Sequence, residues 1–312
     1  MASGDSIPPA AADLPAALAE MLVLHAAWLR GEPGGERADF SGAALPQAQL
    51  SRRDLRRALF HACRLRKADL SGSKLEEAEL QSADLREAVL AAVDLSRATL
   101  EKVALDDCAA PGITLCEARL AEVTLRNANL RQGRLLEAVL VRCDAAGVLL
   151  SGAGLHQIKI SESDFSGADF SGAVLYGGSV RFSRFVRARF TEAVLSGATF
   201  WECSFRWAEM ARARCQGSDL SRSEFHAADL EGCDFSGAVL KSTSFSRARL
   251  RGARFDEAEL FAADLSGADL LGARGLTPQQ LLHARTSAET ILPNGKRGPY
   301  LRNSGAERPV GL

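Results

Sequence analysis

Every fifth residue of this chain is large and apolar. Positions divisible by five from Phe40 to Leu270 number 47; 29 are Leu and 12 are Phe. The exceptions are Ala110, Ala145, Ile160, Val180, Met210 and Cys215, and none is charged. Two places before each lies a second set, 27 of them Ala, with Arg53 the single charged member. The other three positions of each unit hold nearly all the charges. Neither the helical period of 3.6 nor the strand period of 2 produces this spacing. A coil that turns a corner every five residues does. Large side chains then fill the interior, and small ones sit where the backbone crowds the axis. The phase never slips, which is the mark of a repeat architecture.

The units "ADFSGAAL", "ADLSGSKL", "ADFSGAVL" and "ADLSGADLLGA" resemble the A(D/N)LXX motif of pentapeptide repeat proteins, over roughly residues 36–273. The resemblance implies an all-β solenoid: a right-handed quadrilateral β-helix of about 12 coils, four units and 20 residues to the coil. At ~4.8 Å per coil such a rod is roughly 55–60 Å long. Residues 20 apart then stack. Phe165, Phe185, Phe205, Phe225 and Phe245 form one core ladder, and Phe235 stacks on Phe255.

A solenoid has to cover its ends. Residues 13–30 predict a helix with Asp13 as N-cap, Pro15 early and Gly31 after the end. Leu14, Leu18, Met21, Leu22 and Leu29 share the face that would lie on the first coil. At the far end Thr277 is the expected N-cap of a second helix, with Pro278 in its first turn. The domain reading is a flexible segment 1–12, a capping helix and lead-in 13–35, the repeats 36–273, and a cap helix with an extended or loose tail 274–312. Arg53 should disturb the first coil unless it snorkels outward. Ala110 before Pro111-Gly112 predicts a kink, and Ala145 a second weak point.

Net charge is −1 with 25% charged residues, so the chain has no global field of the kind nucleic acid or a polyanion mimic requires. The N-terminus lacks the basic region of a signal peptide, and no run of about 18 apolar residues occurs, so no membrane span is expected. With no export signal, seven Cys point to reduced thiols in a bacterial cytoplasm, an untagged secretion route aside. Five of them (Cys63, Cys108, Cys143, Cys203, Cys233) occupy the small inward position and read as buried filler. The five His do not stack in pairs, so neither metal nor cofactor is expected. The recurrent Asp39, Asp69, Asp169, Asp229 and Asp269 read as local backbone acceptors rather than catalytic carboxylates. No nucleophile or phosphate-loop motif occurs, so the chain reads as a non-enzyme.

Charge columns alternate in sign: Arg57, Glu77, Arg97, Glu117; Arg86, Asp106, Arg126; Lys102, Glu122, Arg142, Glu162. These read as self-neutralising ladders. One region differs. The column Arg181, Trp201, Ser221, Lys241 contains no acid, and Arg187 should lie directly above Trp207, as Arg181 should above Trp201. Phe182, Arg184, Arg206 and Arg222 are close by. Exposed Trp and Arg favour partner binding; the competing reading is a set of Arg–Trp stacks that only stabilise the rod, which Glu202, stacked on Arg222, supports.

The leading functional expectation is a non-enzymatic protein-interaction scaffold with an unidentified protein partner. A second is an accessory or effector role in bacterial secretion of type VI kind, since "LHAAWLRGEPGGERADFSGA" (24–43) resembles the lead-in of several bacterial repeat proteins. A third is a DNA mimic acting on gyrase, with a possible homodimer through the C-terminal cap; the balanced charge argues against it.

Overall fold

A computed structural model describes residues 16–309. The chain winds as a parallel β-solenoid between two short helices. Eight three-residue strands, β1 (Leu59–His61), β2 (Glu79–Gln81), β3 (Thr99–Glu101), β4 (Arg119–Ala121), β5 (Val139–Val141), β6 (Lys159–Ser161), β7 (Ser179–Arg181) and β8 (Thr199–Trp201), stack in sequence order on one side. Each pairs in parallel with the strand 20 residues on, as Phe60 with Leu80 and Arg181 with Trp201. Strand pairing proper therefore covers about seven turns, against the twelve coils expected. The 20-residue register itself runs on as single parallel bridges, from Asp39–Leu59 to Arg254–Arg274.

The reason is the corner. From Gly42 to Gly272, the second residue after each central Leu or Phe has positive φ, from 50° at Ala62 to 71° at Gly147. Glycine adopts that conformation freely and other residues at a cost. At most corners the turn closes with a bond from the N–H of residue i+3 to the carbonyl of residue i, as from Ala168 to Phe165 at 3.1 Å. Between successive closed turns only a short stretch with a single bridge residue is left, too few for a strand. The β1–β8 corners lack this closure. It returns at Ser223 N–H to Leu220, 3.2 Å, where the regular strands stop.

The repeated tetrapeptide Asp-Phe-Ser-Gly follows from the same corner. Asp164 Oδ1 accepts the Ser166 N–H at 2.9 Å and Gly167 supplies φ of 69°. Asp39, Asp69, Asp169, Asp229 and Asp269 accept the N–H two residues on in the same way, as expected. Burial works to raise the Asp169 carboxyl, but the donors Ser171 and Arg189 outweigh it and hold it below the usual range. Pro111 causes no kink. It fills the first corner position, where proline's fixed φ is favourable, and Gly112 follows at φ 68°. Ala110 keeps its bond to the Asn129 carbonyl at 2.8 Å, and Ala145 its bond to Asp164 at 2.7 Å. Arg53 is half-buried and Ser73 Oγ takes its N–H at 3.1 Å, so the first coil keeps its phase.

The interior is one continuous column of buried side chains. Phe165, Phe185, Phe205, Phe225 and Phe245 stack with ring centroids 4.7–5.4 Å apart, and Phe235 stacks on Phe255 at 5.4 Å. At inward corners, hydroxyls and thiols satisfy carbonyls of the preceding coil: Ser223 to Phe200 at 2.8 Å, Thr243 to Leu220 at 2.9 Å, Cys233 to Met210 at 2.8 Å. This is why Ser, Thr and Cys replace Ala there without leaving an unpaired group. Burial pushes the Cys63, Cys108, Cys203 and Cys215 thiols up to about 12. Thiols held protonated in this way are inert filler.

Helix α1 (Ala16–Leu29) lays Leu18, Met21 and Leu22 on the first coil, and Gly31 ends it at φ 71°. The expected Asp13 cap, Leu14, Pro15 and the flexible segment 1–12 fall outside the described residues. His25 is fully buried beneath the helix, and its Nδ1 accepts the Ala38 N–H at 3.0 Å. Helix α2 (Pro278–His283) starts with a capping box between Thr277 and Gln280. The tail beyond it is packed, not loose: Thr290, Leu292, Tyr300 and Ala306 are buried, and Tyr300 Oη donates to Glu307 at 3.0 Å. Its apolar side chains complete the cover of the last coils.

Two outcomes are expected. Phe205→Ala, in the middle of the ring ladder, costs about 3–5 kcal/mol, read from a denaturant titration; a loss below about 1 kcal/mol would show that the rings do not hold the coils together. Burial lowers the His25 pKa from 6.5, with the Asp54 charge and a backbone hydrogen bond at Arg56 opposing and the Arg37 charge adding to the shift. The unfolded chain then takes up a proton first as pH falls below 6.5, so the cap loses stability on acidification. His25→Gln, which keeps an acceptor for Ala38, should lose less protection of the first-coil amides between pH 7.5 and 5.5 than the wild type, measured by hydrogen exchange.

Candidate functional surface

The stacked columns of the rod show which charges are spent on one another. Arg57 and Arg97 both reach Glu77, at 2.8 and 3.2 Å, as the first expected ladder requires. The second does not form. Arg86 turns to its own Asp84 at 2.6 Å, and Asp106 Oδ1 takes the backbone N–H of Arg126 at 2.9 Å instead. In the third, Arg142 holds Glu122 at 2.8 Å while Lys102 pairs with Glu101 at 3.6 Å. Two of the departures share a cause: Arg86 takes the acid two positions away on its own unit and Lys102 the acid beside it, in place of the one in the next coil.

The expected Arg/Trp region comes together on one side of the rod and its two flanking corners. Trp207 sits at a corner with φ 56° and is 43% exposed. The Arg206 guanidinium lies 4.9 Å from its ring centroid and that of Arg187, one coil back, 5.7 Å. His226 meets the ring edge-on at 6.0 Å. Trp201 is half-buried on β8. Arg181 is registered beside it, but the cation over the ring is Arg222, from the following coil, at 4.9 Å. That reverses the expected direction of stacking for this Trp. Arg222 also bonds Glu202 at 3.2 Å, which explains the preference: the carboxylate at the corner steers the guanidinium across the indole face.

Phe182, at the corner between Arg181 and Arg184, is 54% exposed. Arg184 lies 3.9 Å from Asp164. Lys241 does not belong to an acid-free neighbourhood: Glu259 holds it at 2.6 Å, and that hydrogen bond raises its pKa. Ser221 is buried, its hydroxyl turned to Asp219. The exposed part of the surface is thus Arg181, Phe182, Arg184, Arg187, Arg206 and Trp207, with Trp201 and Arg222 forming a stacked pair at its edge. The main chain beneath is fixed by inter-coil bonds, Phe182 N–H to Trp201 at 3.0 Å and Trp207 N–H to His226 at 2.9 Å.

Two contributors escape the sequence reading. His226 is one coil beyond Arg206, and its edge-on contact depends on a rotamer. Tyr176, 56% exposed, stands apart, above an uncharged strip around Gly177 and Gly197. Among the described residues no group of three His, Cys, Asp or Glu is placed to hold a metal ion, and no helix is long and apolar enough to cross a membrane.

Arg222→Ala removes both the Trp201 contact and the Glu202 pair. Exposed pairs of either kind contribute at most roughly 1 kcal/mol, so the melting temperature should fall by no more than about 3 °C. A larger fall in a thermal scan would assign this pair to holding the rod rather than to display.

The family model for pentapeptide repeats matches the chain in 8 copies, over residues 36–72, 73–108, 118–157, 155–191, 188–226 and 218–256. Among solved structures the chain is similar to HetL, a pentapeptide repeat protein involved in heterocyst differentiation regulation from the cyanobacterium Nostoc sp. strain PCC 7120. Identity is 25%, coverage 87% of this chain and 96% of that one, and the TM-score 0.32. It is also similar to trypsin-treated QnrB1, a plasmid-mediated fluoroquinolone resistance protein, at 22% identity over 49% of this chain and 81% of that one, TM-score 0.27. A third is a pentapeptide repeat protein of the Arabidopsis thaliana thylakoid lumen, at 24% identity over 38% and 72%, TM-score 0.26. No match was found among curated proteins. With its five-residue corners, its stacked Leu and Phe core and the family model covering most of its length, the chain belongs to the pentapeptide repeat family.

Proposed function

We propose that this protein is a non-enzymatic interaction scaffold, and that the Arg/Trp surface is where it meets a protein partner. The observation that carries this reading is the exposure of Phe182 and Trp207 at two successive rigid corners, next to Arg181, Arg187 and Arg206, which join no ion pair among the described residues. Large rings left open to water on a fixed backbone cost hydration free energy that a partner recovers. Trp and Arg together are the residue types that dominate binding energy at interfaces. The backbone is already ordered, so binding there orders little beyond side chains.

The DNA-mimic reading needs an acidic surface. The cations of this region and the alternating ladders elsewhere weigh against it. No observation on the rod favours the secretion reading over a cytoplasmic one.

Co-purification from a native cell extract tests the proposal. The wild type should capture a protein that a variant carrying Arg181→Ala, Arg187→Ala, Trp201→Ala and Trp207→Ala does not. If both capture the same protein, the surface is a solvated ladder and the reading fails.

A further inference from the structure

On the side formed by β1–β8, the sign alternation of the rod breaks down. Strands β2 and β3 carry Glu79 and Glu101, yet the outward residues of β4 to β8 include no acid at all. Their only charges are Arg119, Lys159 and Arg181, all three exposed. Among the described residues none of the three joins an ion pair, while Arg142, at the corner beside β5, is neutralised by Glu122. Between them lie Val139 and Val141, half-buried. Lys159 is paired in register with Ser179, and Ser161 with Arg181. These four side chains and Val139 rim a shallow depression of about 310 Å³.

Resting on the scaffold reading above, we infer that the β4–β8 side binds an extended acidic peptide segment of the partner, laid along the rod axis. Charge complementarity fixes the sign. Other cations among the described residues of the rod, Arg64 and Arg131 included, also join no ion pair; what marks the β4–β8 side is that three of them are gathered there with no acid among the outward strand residues. Spacing fixes the form. Arg119 and Lys159 are two coils apart, about 9.6 Å at the usual strand separation, and an extended segment of polyproline II form, with three residues to the turn, returns every third side chain to the same face after about 9.3 Å. A segment with a carboxylate at every third residue meets both cations. Its intervening apolar side chains rest on Val139 and Val141, and a carboxylate over the depression meets Lys159, Arg181 and the Ser161 and Ser179 hydroxyls together. Arg181 belongs to this side and to the Arg/Trp corner, so the two form one continuous interface. A nucleic-acid strand fits less well. Its binding is dominated by phosphate contacts and draws on a basic field, and this chain has a net charge of −1.

The probe is a fluorescein-labelled peptide of repeated Gly-Val-Glu triplets, about 15 residues long, read by fluorescence anisotropy at low salt. The full chain should bind it, and Arg119→Glu with Lys159→Glu should weaken binding by about tenfold or more. Arg64→Glu with Arg131→Glu makes the same change of net charge on other sides, at exposed arginines, and should leave binding within about twofold. Circular dichroism melts of both variants report folding, and the neutral Lys159→Gln, expected to be intermediate, keeps the test open if the double variant unfolds. Absence of binding by the wild type, equal loss in both double variants, or tighter binding of a thymidine oligonucleotide of the same length would each overturn the inference. The co-purification separates this from the scaffold reading. A partner lost with Arg119→Glu and Lys159→Glu but kept by a corner variant carrying only Arg187→Ala and Trp207→Ala, since Arg181 is common to both sites, sinks the corner surface and leaves the acidic segment. The reverse result sinks the acidic segment alone.

Discussion

The left-handed corner residue is the constraint on which everything else in this rod depends. Each turn of the chain needs a positive φ two places after the buried Leu or Phe, and most corners use residues other than glycine. That strain persists because the main chain around it is over-determined. The corner N–H bonds the neighbouring coil, as from Arg187 to Arg206 at 2.9 Å, and the turn closes on itself through Ala188 to Phe185 at 3.1 Å. With corners fixed every five residues and coils every 20, side-chain direction is no longer free. Two positions in five face inward and three face out.

The caps follow from the same geometry. A stacked coil ends in a ring of unpaired N–H and carbonyl groups over an open apolar core. At the first coil α1 covers the core with Leu18 and answers the Ala38 N–H with His25. At the last, Gln280 of α2 donates to the carbonyls of Phe255 and Ala258 at 3.0 and 2.8 Å, and the tail buries Leu292 and Tyr300. One polar side chain from each helix does the hydrogen bonding while apolar ones exclude water. The packing of the tail is part of this closure.

A backbone this rigid makes the outward columns a fixed display. Most are occupied by charges that neutralise one another, so the places where they do not are informative. The Arg/Trp corner leaves aromatic surface open, and the β4–β8 side leaves cations unanswered. Both lie in the middle of the rod, away from the caps. Their shared residue, Arg181, links aromatic and electrostatic recognition on one face of a structure that has little other relief.

The one-dimensional pattern determined the inside of this protein. Because a five-residue unit admits no slippage, reading Phe205 as a core residue also placed it between Phe185 and Phe225, and the stacked rings follow. The role of the recurrent Asp was equally legible, since its acceptor reaches a donor only two residues away. What the pattern could not decide was the side-chain choice on the outside. Trp201 has Arg181 on one side and Arg222 on the other, both one coil away; only the position of Glu202 settles that Arg222 covers the ring. Arg86 had Asp84 on its own unit and Asp106 in the next coil to choose between and took the nearer in sequence. The tail carries no repeat at all, so its burial against the last coils had no local signal. Periodicity fixes where the backbone runs and which way each side chain points, whereas partners at the surface are chosen by rotamers among near-equal neighbours, and those only the folded rod brings together.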